Sequence, residues 1–469
     1  MPYYERLSAA DAMFLALEDA NNHMHVGSVG IFELGPLRTP EGGLDVDRLR
    51  GAIEARLPRV PRFRQRVAFV PGEGHPVWID DDRFNLGYHV RHSALPRPGD
   101  DEALKRLVGR VMSQQLDRGK PLWELWFVEG LQGDRFALVS KTHHCMIDGI
   151  AGAELMSILL DMTPDALTPP PRPFVPRPAP SGSLLVADAV MRRLAQPVAA
   201  VQALRDAVAK PRETVAQLAE AAGGVRDVLA PSWSSASPTP LNVETGPHRR
   251  FECTAHRVAD FKAVKDALGG TLNDVVLATV AGALRAFFID RGLRIQELEV
   301  RAMVPVSVRA KGETGATGNQ ITQLVAPLPV ALSDPIERQK AVRETMGNLK
   351  ESKQALGGRV LTAISEWTVP NVLVQAVRMT VRSRPYNLVV TNVPGPQIPL
   401  YLQGARMRET YPVAPLTPGQ ALNIALFSYD GGLYWGLNAD YDALPDLSGL
   451  VQHVRESFVE LQRAAGIAP

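Results

Sequence analysis

The chain has 469 residues, with 51 Lys and Arg against 50 Asp and Glu, and 45% of its residues are hydrophobic. This length predicts two or three domains, and the ordinary apolar fraction excludes a disordered, collagenous or coiled-coil chain. A net charge of +1 supplies no general attraction to a phosphate backbone, which argues against nucleic acid as the main partner.

Cysteine content and apolar runs bear on the cellular compartment. Cys145 and Cys253 are the two cysteines, and two distant thiols cannot form the disulfide framework of a small secreted protein. The N-terminus carries charges where a signal peptide needs an apolar run, and the longest apolar candidate, Val275 to Ile289, is interrupted by Arg285. We therefore expect a protein of the reducing cytoplasm that is soluble or lies on a membrane surface.

The first half mixes helices and strands. Ser8, Asp45 and Asp100 are predicted N-caps, because each precedes apolar residues at helical spacing. Residues rich in β-branched and aromatic side chains predict strands over 64–70, 76–79, 122–128 and 135–142. The alternation around His23 and His25 predicts an exposed strand edge without a chemical role.

The composition changes abruptly in the middle of the chain. Residues 163–182 are rich in proline and predict an extended linker. Residues 183–230 have apolar side chains near helical spacing, with arginines elsewhere on the wheel, and 231–240 form a Ser/Pro loop. The helical bridge suits either a lipid interface or packing over both halves.

The second half repeats the mixture of elements. Strands are predicted over 251–258, 299–308, 321–330 and 386–393, and a hairpin over 421–440 turns at Asp430-Gly431-Gly432. Helices are predicted up to Gly269-Gly270, from Thr271 to Gly292, and over 335–354, 359–381 and 447–465. The domain prediction is therefore 1–162, a bridge over 163–245, and 246–469.

The most informative residues run from Thr142 to Gly149, where a strand ends and a helix is predicted to begin. Such an edge holds side chains rigidly toward a cleft. Because consecutive strand residues point to opposite faces, only one of His143 and His144 can address that cleft, and the other should be packed within the fold.

One imidazole is enough for acyl transfer from a thioester. It accepts the proton of an incoming hydroxyl and returns it to the leaving thiolate, and donors hold the oxyanion. Asp148 either orients His144 or holds the turn through an ion pair with a buried Arg. Two alternatives are a partly buried structural histidine pair and a metal site, although adjacent side chains on opposite faces cannot converge on one ion.

The sequence resembles a known family at this point. His143-His144-x-x-x-Asp148-Gly149 is similar to the signature of CoA-dependent acyltransferases and peptide-synthetase condensation domains. Further segments look like the block motifs of bacterial wax ester synthase/diacylglycerol acyltransferases: Leu7 to Phe14, Pro121 to Glu124, Asn273 to Ala278, Pro305 to Arg309, and Thr391 to Pro396. These blocks occur in the family's order between about residues 5 and 462.

The resemblance implies an α/β (α+β) fold of two similar mixed-sheet domains with a tunnel between them. It implies that His144 is the general base and that acyl-CoA is a co-substrate, with no bound cofactor and no metal. His143, Asp148 and Gly149 would maintain the motif's geometry, with Arg309 as the candidate ion-pair partner of Asp148.

Three further residues are candidates for the site. Thr271 resembles an N-cap, which puts Asn273 in the first turn of a helix, where free N–H groups favour an oxyanion. On the residues alone, Asn273 is more readily an ordinary first-turn residue, but the resemblance to the family's Asn-Asp block reverses this preference and implies a supporting role. Arg382 and Arg384 are candidates for CoA phosphates, the alternative being solvated surface arginines.

The expected activity is esterification of diacylglycerol to triacylglycerol, and of long-chain alcohols to wax esters. The alternatives are a condensation-type acyltransferase using carrier-bound acyl groups and a non-catalytic lipid-binding or droplet protein. We expect a cytoplasmic protein, peripheral on the inner membrane face or on lipid droplets. The sequence leaves open the acyl chain length, the preferred alcohol and the oligomeric state.

Overall fold

A computed structural model describes residues 3–146, 156, 159–167, 169–192, 235–307, 321–351 and 384–468. Before the bridge, the described residues form the strands β1 Glu5–Arg6, β2 His25–Glu33, β3 Gln65–Phe69, β4 Pro76–Asp80, β5 Val90–Ala94, β6 Trp123–Leu131 and β7 Arg135–His143. The helices of this part are α1 Ala9–Leu17, α2 Val46–Arg56, α3 Leu86–His89 and α4 Asp101–Met112.

After the bridge, the strands are β8 Arg249–Arg257, β9 Val300–Ser307, β10 Ile321–Leu328, β11 Leu388–Pro394, β12 Tyr401–Leu402, β13 Ala405–Val413, β14 Leu422–Tyr429 and β15 Gly432–Asp440. The helices are α5 Val258–Leu268, α6 Leu272–Asp290, α7 Pro335–Glu351 and α8 Leu447–Ala464. The helix predicted over 359–381 and most of the helical bridge lie outside the described residues.

Local side-chain chemistry sets the starts of the helices. Asp45 accepts a hydrogen bond from the amide of Arg48, and Asp100 from that of Ala103, which confirms both as N-caps. Ser8 caps α1 by accepting from the amide of Asp11, and its hydroxyl donates to the Asp11 carboxylate at 2.8 Å. The predicted cap at Ser8 is therefore confirmed.

Two six-stranded sheets organise the chain. The first has the order β12-β13-β2-β7-β6-β5, and the second has the order β10-β9-β11-β14-β15-β8. Both are mixed, since β5 runs parallel to β6 in the first and β11 runs parallel to β9 and β14 in the second. A small sheet, β1-β4-β3, accompanies the first. The predicted mixed α/β fold with two sheet-rich halves is confirmed.

One strand crosses between the halves. β13 belongs to the last third of the chain, yet it pairs with β2 in the first sheet, with Tyr411 opposite Val29. The prediction of an exposed edge around His23 and His25 is wrong for this reason, because β13 and β7 flank β2 and both histidines are buried. The division at 162 and 245 stays a prediction, with β12 and β13 contributing to the sheet of the preceding half.

Helix α6 forms the centre of the second half's core. Its residues 274–284 are buried and it packs against α7 and α8. Among the described residues it is the one helix long and apolar enough to cross a membrane by composition, and 72% of its apolar window is buried inside the protein. Helix α6 is therefore a core helix.

The beginning of the bridge lies against the first half. Residues 169–181 have neither helix nor strand, and Arg177 donates two hydrogen bonds to Asp80, at 2.8 and 2.7 Å. Residues 182–192 are helical, and Leu185 and Ala189 pack on an apolar cluster of the small sheet. The proline-rich segment therefore connects to the fold through defined contacts.

Candidate active site

The two motif histidines have different environments. His143 ends β7 and is fully buried, whereas His144 begins a single 3-10 turn, His144–Met146, and is half-buried. The expectation that one histidine of the pair is packed within the fold is met by His143. His144 is therefore the more exposed histidine of the pair.

Neighbouring strands fix the backbone at this point. The amide of His143 donates to the carbonyl of Leu122 at 2.9 Å, and the amide of His144 donates to the carbonyl of Met24 at 2.7 Å. In the register, His143 lies opposite His25 of β2. Because strands on both sides hold consecutive amides, the turn that carries His144 has little freedom.

A buried carboxylate lies against His143. Glu18 Oε1 is 3.6 Å from His143 Nε2 and 3.3 Å from His25 Nε2, and Arg118 donates to Glu18 Oε2 at 2.9 and 2.7 Å. Burial favours a raised pKa for Glu18, but the contacts with His143 and His25 and the hydrogen bonds from Arg118 outweigh it and hold the pKa well below its usual range. Glu18 is therefore an anion at neutral pH.

The pKa of His25 is lowered as well. Burial beside the cationic Lys141 lowers it to about 3, against the opposing effect of Glu18. The side chain of His25 is therefore a neutral imidazole at neutral pH, and Arg118 is the cation that balances Glu18.

An aromatic ring covers His144. The ring of Phe14 in α1 is stacked on the imidazole, with centroids 3.8 Å apart and planes 24° apart. Phe14 belongs to the block at Leu7 to Phe14, but its contact with His144 was not predicted. Glu18 was also missed, and the available signal was its position four residues after Phe14, on the same face of a helix.

The Pro-Leu-Trp block supports the neighbouring strand. Trp123 is fully buried, donates from Nε1 to the carbonyl of Phe63 at 2.8 Å, and stacks between Phe63 and His89. Its role in the core is the one that the sequence favours over catalysis. Cys145 is also buried, and burial raises the pKa of its thiol strongly, so it is a packed residue and a poor nucleophile.

A buried ammonium ties the motif strand to α4. Lys141, opposite Glu124 of β6, donates from Nζ to the carbonyl of Val111 at 3.0 Å and lies 3.9 Å from Glu124 Oε2. Burial lowers the pKa of Lys141 to about 8, against the opposing effect of Glu124. This contact fixes the end of α4 against the strand that carries the histidines.

The Asn-Asp block begins helix α6. Thr271 and Asp274 form a reciprocal capping box, in which Asp274 Oδ2 accepts from the amide of Thr271 at 2.7 Å. The N-cap prediction at Thr271 is confirmed, and Asn273 is the half-buried second residue of the helix. Within the described residues, no hydrogen bond joins Asn273 to either histidine.

Asp148, Gly149, Arg309 and Arg382 lie outside the described residues, so their roles stay predictions. Arg384 is exposed, has a positive φ of 50°, and accepts through its carbonyl from the amide of Ala236. Over the described parts of the chain, no group of three His, Cys, Asp or Glu side chains could hold a metal ion.

Two mixed six-stranded sheets define a fold that condensation domains share. The structure resembles that of the starter condensation domain of rhizomide synthetase over 99% of this chain and 95% of that one, with a TM-score of 0.58 and 14% identity. It resembles the wax ester synthase/diacylglycerol acyltransferase of Marinobacter aquaeolei VT8 over 98% and 100% of the two chains, with a TM-score of 0.69 and 27% identity.

Sequence comparison assigns the family. Residues 7–276 match the wax ester synthase/diacylglycerol acyltransferase catalytic domain, and residues 317–462 match the WS/DGAT C-terminal domain. A Mycobacterium tuberculosis protein provisionally named diacylglycerol O-acyltransferase Rv1760 is 35% identical over 99% of this chain and 91% of its own. The chain belongs to the wax ester synthase/diacylglycerol acyltransferase family and is an acyltransferase.

Proposed function

We propose that the protein transfers a fatty acyl group from acyl-CoA to the hydroxyl of diacylglycerol, with long-chain alcohols as a second class of acceptor. Two of its relatives from Mycobacterium tuberculosis are provisionally named for diacylglycerol acylation, and the Marinobacter enzyme is named for both products. The observation that carries the assignment is the accessibility of one imidazole at the end of β7, since His143 is fully buried and His144 is not.

In this proposal His144 is the general base. Its neutral imidazole takes the proton of the acceptor hydroxyl as the oxygen attacks the thioester carbonyl, forming a tetrahedral intermediate. Collapse of the intermediate breaks the carbon–sulfur bond, and the imidazolium returns the proton to the departing CoA thiolate. An ester and free CoA are the products, so the reaction requires no bound cofactor or metal.

The other candidates have supporting roles in the proposal. Asn273, in the first turn of α6, would help to stabilise the oxyanion, because the N-terminus of a helix favours negative charge. Asp148 paired with Arg309, together with Gly149, would hold the turn after His144. Arg382 and Arg384 would bind CoA phosphates.

The test supplies purified protein with oleoyl-CoA and diacylglycerol and follows release of the CoA thiol together with triacylglycerol. Hexadecanol replaces diacylglycerol in a parallel assay, and His144→Ala is the variant control. We expect thiol release that depends on both substrates and on His144. Ester formation by a folded His144→Ala protein would reject the assignment of His144 as the general base. Absence of thiol release with every alcohol would reject acyl-CoA as the donor.

A donor bound to a carrier protein is the second candidate, since condensation domains share the fold. The family match favours CoA, because both halves of the chain match WS/DGAT domains. Comparing oleoyl-CoA with an oleoyl-carrier protein at equal concentration distinguishes the two. A higher kcat/KM for the carrier-bound donor would overturn the choice of CoA.

The acceptor of this proposed reaction is a membrane lipid, so we also propose that the protein is cytoplasmic and binds membrane or droplet surfaces peripherally. Support comes from the helical residues 182–192, where Val190 and Met191 are 49% and 65% exposed. The double substitution Val190→Glu and Met191→Glu should reduce co-sedimentation with liposomes. Ile289→Glu, at an exposed position of α6, is the matched control. Equal binding of both variants to liposomes would reject Val190 and Met191 as part of a membrane-binding surface.

A further inference from the structure

Helix α1 presents two side chains to the motif. Phe14 and Glu18 are four residues apart, so they share one face of the helix and its C-terminal cap. Phe14 stacks on His144 at 3.8 Å, and Glu18 lies 3.6 Å from Nε2 of His143. One helical face therefore contacts both histidines of the pair.

Glu18 is held in place from the opposite side. Its side chain is 1% exposed, and both hydrogen bonds from Arg118 go to Oε2, which leaves Oε1 facing the histidines. Arg118 also donates to the carbonyl of Leu15 at 2.7 Å. This second contact ties the guanidinium to α1 itself, so the position of the carboxylate follows from the position of the helix.

The ring of His143 connects Glu18 to the turn that carries His144. Its Nδ1 accepts a hydrogen bond from the amide of Cys145 at 3.2 Å, which places the ring proton on Nε2, toward Glu18. The same ring therefore contacts the carboxylate on one side and the backbone beyond His144 on the other. A rotation of the His143 ring would break the bond that closes the turn.

Phe14 acts on His144 directly. A stacked ring restricts rotation of the imidazole, and its π face attracts the imidazole when it becomes a cation. In the proposed reaction the imidazole becomes a cation when it takes the proton of the acceptor hydroxyl. The contact therefore favours the transition state over the resting enzyme.

We propose that Phe14 and Glu18 are positioning residues that hold the His143-His144 pair in its reactive geometry. Phe14 orients the imidazole of His144, and Glu18 fixes the ring of His143 and through it the turn. This inference rests on the proposed role of His144 as the base. The loss on substitution should fall on kcat and not on KM, because neither residue needs to contact a substrate.

The first test replaces Phe14 by Leu, with Phe84→Leu as the matched control. Phe84 stacks on His89, a buried histidine of the same half, at 5.2 Å. We expect Phe14→Leu to lower kcat about 10-fold with an unchanged KM, and to move the acid limb of the pH–rate profile to lower pH. Phe14→Trp, which keeps an aromatic face, should recover most of the rate, and Phe84→Leu should leave kcat unchanged.

The second test replaces Glu18 by Gln, with Glu460→Gln as the control. Glu460 pairs with the buried Arg338 in the second half, so its substitution removes a comparable charge at a distance from the motif. Glu18→Gln should lower kcat about 10-fold and shift the acid limb down by roughly half a pH unit, because a nearby anion no longer stabilises the imidazolium.

The outcomes separate this inference from the proposed function. Activity in a folded His144→Ala protein would overturn the assignment of His144 as the general base, and this inference with it. A different result would overturn the inference alone. In that case His144→Ala is inactive, while Phe14→Leu and Glu18→Gln keep the wild-type kcat and pH profile. A loss of activity that follows the folded fraction, with an unshifted pH profile and no recovery in Phe14→Trp, would identify a merely structural role and would also overturn it.

Discussion

The amide of His143 donates a hydrogen bond to the carbonyl of Leu122 across β7 and β6, at 2.9 Å. This bond joins two sequence blocks that are separated by about twenty residues, and the next pair in the register places Thr142 opposite Trp123. Trp123 in turn is locked by its hydrogen bond to Phe63. The Pro-Leu-Trp block therefore supports the end of β7, because Leu122 accepts the hydrogen bond from the amide of His143 and the neighbouring Trp123 is fixed in the core.

The first prediction separates the two histidines. His143→Ala removes the acceptor for the Cys145 amide and leaves Glu18 facing a cavity, so it should destabilise the fold by about 2 kcal/mol and lower activity as well. His144→Ala should lower kcat at least about 100-fold with an unchanged melting temperature. Urea unfolding and steady-state kinetics on both variants measure this difference, and equal losses of stability would contradict it.

The second prediction concerns His256, whose ring is surrounded by Phe261, Trp435 and Phe458. Burial, together with nearby Arg455, lowers the pKa of His256 to about 4. Between pH 6.5 and 4 the unfolded chain binds a proton that the folded chain does not, so stability falls as the pH decreases through this window. At pH 5 this one residue should cost about 2 kcal/mol relative to pH 7.5.

Substitution of His256 by Phe should remove this contribution. The measurement is urea unfolding of wild type and His256→Phe at pH 7.5 and pH 5. His25, whose pKa is lowered to about 3, contributes in the same sense to both proteins and cancels in the comparison. A stability difference between the two proteins that does not change with pH would show that His256 is not the titrating group.

Local signals predicted much of this fold correctly. The caps at Asp45, Asp100 and Thr271 and the turn at Asp430-Gly431-Gly432 depend on hydrogen bonds within a few residues, which the sequence displays directly. The sequence also predicted correctly that one histidine of the pair is packed within the fold, although His144 lies in the 3-10 turn after β7 and not in the strand itself.

Long-range pairing could not be predicted in the same way. Whether β2 is an edge strand depends on β13, which lies more than 370 residues away and carries no signal of its partner. The stacking of Phe14 on His144 has the same origin, since it follows from how α1 packs on the motif turn. In both cases tertiary packing, and not local preference, decides the environment of the residue.

The third prediction concerns Gly395, which directly follows Pro394, the last residue of β11. A β-carbon at this position would collide with the ring of Phe427 and the carbonyl of Ser428, so Gly395→Ala should destabilise the fold by about 2 kcal/mol. Gly449 in α8 has open space around the same position, and Gly449→Ala should stabilise by about 0.5 kcal/mol. Opposite shifts in melting temperature are expected, and a neutral Gly395→Ala would refute the close packing.

The last prediction divides the Asn-Asp block into two functions. Asp274 closes the capping box with Thr271, so Asp274→Ala and Thr271→Ala should each destabilise the protein by about 1 kcal/mol. Asn273 takes no part in that box, and its half-buried side chain lies in the first turn of α6. If it supports the oxyanion, Asn273→Ala should lower kcat by about 100-fold while the free energy of unfolding stays within error of the wild type. Kinetics and urea unfolding on the three variants decide the matter, because a capping role alone for the whole block would give Asn273→Ala normal turnover.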